Sequence, residues 1–152
     1  MPNDIAITGI GAITPAGVGT QAFWDAIVNG RQCFAQSERF TPKGFNFNGR
    51  LCAPVSGIDT VLDDRRFRRA ADISKYALVA VKEAAADAGL DLAKEDPCRI
   101  GLVMGITHGA INFTREFHAG FVKDGVAGAS PMYFSDSVLN APAGNVSIAL
   151  NI

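Results

Sequence analysis

Two short apolar runs each end in glycine: Ile5-Ala6-Ile7 ahead of Gly9, and Arg99 to Met104, with Ile100, Leu102 and Val103, ahead of Gly105. Continuous apolar runs of this length suit strands buried on both faces of a sheet. Between them lies the clearest helical periodicity in the chain. From Asp72 to Ala88, residues Ile73, Tyr76, Ala77, Ala80, Val81, Ala84 and Ala88 recur three and four apart, with Lys75, Lys82, Glu83 and Asp87 opposite. Gly89 closes that helix. A buried strand, a helix and a second buried strand cannot satisfy one another as a bundle or a sandwich, so the pattern predicts a layered α/β fold.

The remaining segments fit the same scheme. Thr20 is placed to N-cap a helix whose Phe23, Ala26 and Ile27 share a face and which ends at Asn29-Gly30. Ala110, Phe113, Phe117 and Phe121 mark a helix with an aromatic face. Asn140 is placed to N-cap a last helix, with Pro142 tolerated in its first turn and Ala143, Val146 and Leu150 on one side. From Arg31 to about Asp64 the chain is irregular and rich in Phe, Gly and Pro (Phe40, Pro42, Gly44, Phe45, Phe47, Gly49), an ordered excursion with room for one short strand pair. The order β-α-excursion-α-β-α-α leaves the sheet with two strands, fewer than such a fold uses, so the chain is expected to be unfinished.

Charge and composition remove several classes of function. Fourteen basic residues against fifteen acidic ones give a net charge of −1, which does not suit a nucleic-acid binder. No apolar run approaches the roughly 20 residues needed to span a bilayer. The N-terminus lacks the basic region and apolar stretch of a secretory signal, so a cytoplasmic protein is expected. Cys33, Cys52 and Cys98 are odd in number and without C-x-x-C spacing, which argues against a disulfide framework or a zinc site and for small apolar filler.

Three stretches remain as candidate sites. Ile7-Thr8-Gly9-Ile10-Gly11 begins like a dinucleotide fingerprint, but Thr14 stands where the third glycine belongs; a tight turn under a packed helix explains the glycines better. Gly105-Ile106-Thr107-His108-Gly109 follows the second predicted strand, at the end where open α/β sheets bind ligands. His108 there is a base, a ligand or a side chain in a loop pocket. His118, the only other histidine, falls on the polar side of its helix; a metal site is not expected at either. Arg65, Arg66, Arg68 and Arg69 form a basic run before the Asp72 helix, either self-paired with Asp63 and Asp64 or a docking patch for a phosphate-bearing or acidic partner.

Taken together, the segments resemble the β-ketoacyl synthase family, of the 3-oxoacyl-[acyl-carrier-protein] synthase II-like kind, over essentially the whole chain. The stretches that carry the resemblance are Ile5 to Gly17 with Phe23-Trp24, Arg39-Phe40 with Gly44-Phe45, Ala71-Asp72, Ala84 to Leu90, Arg99 to Leu102, and Ser130-Pro131 through Asn140 to Gly144. The wording of Thr107 to Ala110 and of Phe134 to Pro142 is similar to ketosynthases of pigment and polyene clusters.

The resemblance implies a thiolase-like layered fold, here an incomplete first half, and a decarboxylating condensation between an acyl thioester and a malonyl-carrier protein, with no cofactor. It places the family's cysteine and two histidines beyond Ile152, so no catalytic residue is expected in this chain and the chain alone is expected to be inactive. It also implies an acyl pocket touched by Thr107, His108 and Phe134, and docking of a phosphopantetheine-bearing acyl carrier protein on Arg65, Arg66, Arg68 and Arg69. A homo- or heterodimer of ketosynthase type is implied as well. A chain-length-factor-like subunit without a working cysteine, and a non-enzymatic binding module on the same scaffold, stay open.

Overall fold

A computed structural model of the chain describes residues 4–36, 51–62 and 64–152. Residues Arg39, Phe40, Pro42, Gly44, Phe45, Phe47, Gly49 and Asp63, named above, lie outside the described residues. Two small antiparallel pairs are present. Strand β1 (Ile13–Thr14) pairs with β2 (Gly17–Val18), and β3 (Ala35–Gln36) with β4 (Leu51–Cys52). The second pair is the one expected within the excursion. Six α-helices follow or interleave: α1 (Thr20–Val28), α2 (Ile58–Val61), α3 (Asp72–Asp87), α4 (Ile111–Asp124), α5 (Pro131–Ser137) and α6 (Ala141–Leu150). Short 3-10 turns cover Arg65–Arg69, Pro97–Arg99 and Gly125–Gly128.

Helix α3 is the hub, and its ends fall where the periodicity places them. Gly89 takes a left-handed conformation (φ 65) that the residue after the cap needs. The Gly89 and Leu90 N–H groups then return to the carbonyls of Ala86 and Ala85, satisfying the last turn. The helix is covered on more than one side. Ser74 and Leu78 are fully buried, and Leu78 joins Phe67 and Val146 in the core, with Ala77, Val81, Leu102, Ala149 and Leu150 packed around them.

On another side of α3 the loop that contains Gly9 and Gly11 presses directly on the helix backbone. A Cβ on Gly9 would fall on the Ala84 carbonyl oxygen, and one on Gly11 on the Ala80 carbonyl oxygen. The glycines therefore exist for close approach to a helix, as a tight turn under a packed helix requires. The carboxylates of Glu83 and Asp87 face this loop. The polar side of α3 thus carries this loop: Glu83 binds the N–H groups of Ala12 and Thr20, and the exposed Asp87 that of Ile10.

The two expected buried strands are not strands among the described residues. Ile5 and Ile7 are 97% and 88% exposed, and Val103 is 96% exposed while Leu102 leans on the core. No backbone–backbone hydrogen bond involves residues 4–11 or 101–109 among the described residues. A strand is a relation between neighbours, and these runs have no strand neighbour among the described residues; apolar sequence alone cannot supply the ladder.

Two caps also differ. Gly19, not Thr20, holds the cap position of α1, because the Thr20 hydroxyl and N–H are both engaged by Glu83. Asn140 stands at the α6 cap but makes no side-chain cap bond. The α4 aromatic face is present and meets α5: Phe113 packs edge-on to Tyr133 at 5.6 Å, and Phe117 against Phe134 at 5.4 Å. Gly120 and Gly128 lie backbone to backbone, so a Cβ on either would strike the other's carbonyl.

Candidate functional site

The basic run is built as a 3-10 turn. Asp64 accepts the Arg66 N–H at 3.0 Å and so caps the turn, while Phe67 buries its ring in the core and anchors it. Arg65, Arg66, Arg68 and Arg69 are all exposed around it. Arg66 is folded back: its guanidinium bonds both Asp64 oxygens (2.8 Å for Nη2–Oδ2) and reaches the Ala149 carbonyl at 3.3 Å. That guanidinium holds the Asp64 carboxyl at about 2 and is itself raised by the pairing. Arg65, Arg68 and Arg69 are exposed and have no ion-pair partner among the described residues. Arg68 borders a hollow of about 230 Å³ together with Asp59, Leu62, Asp64, Phe67 and Lys75. The self-paired reading thus holds for Arg66 with Asp64, while Arg65, Arg68 and Arg69 make no ion pair among the described residues.

Thr107 and His108 are exposed in the loop that enters α4, and Gly109 turns there with φ 61. That loop lies against Leu139, just past α5, since a Cβ on Gly109 would meet the Leu139 side chain at 3.0 Å. Beside it, a hollow of about 220 Å³ opens between the N-terminal ends of α3 and α4, bounded by Ala71, Asp72, Ile73 and residues 109–113. Phe134, on α5, is 54% exposed and rests on Phe117. The loop and α5 are neighbours through Leu139, but no hydrogen bond or ring contact joins His108 to Phe134 among the described residues. His118 is exposed on α4, its ring edge-on to Phe117.

The feature sequence reasoning missed is a polar junction buried among three helices. Asp136 of α5 is 9% exposed, and its Oδ2 accepts the N–H of Ala71, the cap residue of α3, at 2.8 Å. Its Oδ1 accepts the amide of Asn145 of α6 at 3.0 Å, and the same amide donates to the fully buried Ser74 hydroxyl of α3 at 3.1 Å. Ala71 has no side chain able to cap α3, so a carboxylate from another helix does it, where the helix dipole favours negative charge. Nothing in the spacing of Phe134-Ser135-Asp136-Ser137 announces a buried carboxylate.

Cys33 and Cys52 are half-buried and Cys98 is exposed at the Pro97–Arg99 turn; all three are free thiols. The apolar-filler reading is therefore corrected: no cysteine sits in the core, because β3, β4 and the Pro97 turn lie at the periphery. Cys33 instead borders an apolar hollow of about 300 Å³ with Phe23, Ile27 and Phe34, away from the arginine run and the His108 loop. No group of three His, Cys, Asp or Glu residues is arranged to hold a metal ion among the described residues. No described helix is long and apolar enough to cross a membrane.

Comparison with known proteins follows this geometry. A family model described as "Beta-ketoacyl synthase, N-terminal domain" matches residues 2–152. The 3-oxoacyl-[acyl-carrier-protein] synthase 2 of Vibrio harveyi is 27% identical over 146 residues, covering 95% of this chain and 35% of that protein. The tetracenomycin polyketide synthase ketoacyl synthase beta subunit of Streptomyces glaucescens is 31% identical over 114 residues, 74% of this chain and 27% of that protein. Among solved structures, a β-ketoacyl synthase from Burkholderia phymatum superposes with a TM-score of 0.79 at 25% identity, covering 96% of this chain and 36% of that one. A type II polyketide ketosynthase solved with its acyl-carrier protein and bound to the hexaketide gives a TM-score of 0.71 at 22% identity, over 95% of this chain and 38% of that one. That last likeness is one of fold. The chain spans about a quarter to a third of the length of the curated relatives it matches.

Proposed function

The chain belongs to the β-ketoacyl synthase family, as the N-terminal domain of fatty-acid and polyketide condensing enzymes, and from that premise we propose that it serves a decarboxylating condensation fed by an acyl carrier protein. The reading rests on one observation above the others, the match of the family model over residues 2–152. In such a condensation a malonyl thioester loses carbon dioxide, the electron pair left on carbon attacks an enzyme-bound acyl thioester, and the thiolate departs. A thiolate nucleophile needs a lowered pKa, as at a helix N-terminus. Cys33 and Cys52 stand at no helix start, and Cys98 lies in a 3-10 turn of three residues, so none of the three has an α-helix N-terminus to activate it and the reading gives the 152-residue chain alone no condensing activity.

Its part is to receive and to shape. Arg65, Arg68 and Arg69, exposed and without an ion pair among the described residues, present positive charge to an acidic carrier and its phosphate, while Arg66 holds the turn in place. Such complementarity raises the on-rate and is screened by salt. Thr107, His108 and Phe134 line the acyl chain's path, with Phe134 seated at a contact between two subunits of ketosynthase type. The bulk of Phe134 and the imidazole of His108, whose hydrogen bonds must be satisfied, favour short, unsaturated or aromatic-ended acyl chains over long saturated ones.

A second reading, a chain-length-factor-like subunit that shares the fold without a working cysteine, is favoured by the likeness to the tetracenomycin beta subunit. The experiment is a binding titration of phosphopantetheine-loaded acyl carrier protein against the chain, with and without Arg68→Glu and Arg69→Glu. Binding that is lost at high salt and weakened by the reversals supports the proposal. Affinity unchanged by both would assign the arginines to solvation alone.

A further inference from the structure

The carrier-docking arginines and the proposed acyl-path residue Phe134 lie on different elements, and one side chain ties them. Arg69 stands two residues before Ala71, and Phe134 two residues before Asp136. The Ala71 N–H is bound by the Asp136 carboxylate at 2.8 Å across 65 residues of sequence. Asp136 cannot drift, because Asn145 holds its other oxygen and is itself bound to the fully buried Ser74. Helix α5 has only seven residues, so its own hydrogen bonds give it little independent rigidity. The aromatic pair Phe117–Phe134 holds one side of it and Asp136 the other.

We propose that Asp136 is a positioning residue, which fixes the end of the docking run relative to the Phe134 wall and so sets where a docked carrier delivers its acyl chain. The inference rests on the carrier-docking and acyl-path reading given above. Reactions that depend on placement lose rate steeply when the placement slips; a shift of about 1 Å costs on the order of 100-fold. A carrier-borne acyl group needs both ends of this arrangement. A small acyl thioester such as an acyl-N-acetylcysteamine, which enters without docking, needs only the wall.

The test compares acyl transfer from carrier protein with transfer from the small thioester in the assembled condensing enzyme that holds this chain. Asp136→Ala removes the tie. Ala71→Pro removes it from the other side, deleting the N–H at a residue whose φ of −61 and ψ of 147 already suit proline, after an extended Ala70. Each is expected to lower carrier-borne transfer about tenfold or more relative to the small thioester. Asp136→Asn keeps an oxygen for the Ala71 N–H and presents an amide that Asn145, turned over, accepts; it is expected to restore the ratio. An equal fall for both substrates in Asp136→Ala and Ala71→Pro, or no fall in either, overturns the proposal. The double reversal Arg68→Glu/Arg69→Glu separates the two failures. If it slows the carrier-borne reaction while the Asp136 and Ala71 variants do not, the positioning role alone is wrong. If it too has no effect, the docking reading is wrong and the positioning role falls with it.

Discussion

The Glu83 carboxylate takes both polar groups that Thr20 offers, its backbone N–H at 2.6 Å and its hydroxyl at 3.1 Å. Its other oxygen holds the Ala12 N–H at 2.8 Å. One side chain of α3 thus fixes both ends of the β1–β2 hairpin. Removing it by Glu83→Ala leaves two part-buried N–H groups and a hydroxyl without their acceptor, at a cost of about 2–3 kcal/mol. Urea denaturation followed by far-UV circular dichroism should show the loss, and an unchanged midpoint would mean that water replaces the carboxylate at no cost.

The same contacts set a pH dependence. Burial pushes the Glu83 carboxyl up, but the hydrogen bonds from Thr20 and Ala12 outweigh it and leave the group below its ordinary value of 4.5. Asp64 is lowered further, to about 2, chiefly by its hydrogen bonds with Arg66. Both groups are more acidic folded than unfolded, so the stability they contribute is complete above the unfolded carboxylate range. It is lost as pH falls through the folded values. Denaturation midpoints should therefore drop from pH 5 toward pH 2, and less so in a Glu83→Gln, Asp64→Asn double variant. Parallel curves for the two proteins would refute this origin.

Gly9→Ala and Gly11→Ala each drive a methyl group into a backbone carbonyl of α3, which cannot step aside as a side chain would. Overpacking of this kind costs about 1–3 kcal/mol. Gly101→Ala, where a Cβ meets nothing within 4 Å, is expected to be neutral or slightly stabilising. Thermal melts of the three variants give the comparison, and equal losses in all three would show that close packing on α3 is not what the glycines serve.

His108→Ile and Phe134→Val test the acyl-path residues in the assembled enzyme across a series of acyl lengths. Each is expected to shift the preference toward longer saturated chains, and the double variant further than either. A length profile that does not move in any of them would return His108 to solvent and Phe134 to packing on Phe117.

How far the sequence reveals this molecule depends on how local each feature is. Helix α3 was readable to within a residue because periodicity and a terminal glycine are local signals. Gly9 and Gly11 were readable as a turn under a helix because a failed phosphate fingerprint left few other uses for them. The runs at Ile5–Ile7 and Ile100–Met104 misled, since a strand is defined by a neighbour and composition contains none. Glu83 and Asp87 were readable as the polar side of the helix, but a helical wheel ranks faces by polarity and cannot see a loop whose backbone amides want carboxylates. Of the site, Arg65 to Arg69 was visible as a charge run, but the folding back of Arg66 onto Asp64 and Ala149 depends on α6, 83 residues away. Asp136 gave no signal at all, because its partners are a backbone amide and an asparagine on two other helices.

Residues 4–8 and 101–105, which make no backbone–backbone hydrogen bond among the described residues, have a consequence for handling the protein. These stretches combine isoleucine, valine and leucine with open hydrogen-bonding edges, and Asp4 is the only charged residue among them, with no proline to blunt them. Such segments template cross-β assembly when molecules meet, and a net charge of −1 offers little repulsion to keep them apart. Turbidity and thioflavin fluorescence of the 152-residue chain should therefore rise with its concentration, and a lysine introduced by Ile7→Lys or Val103→Lys should delay both.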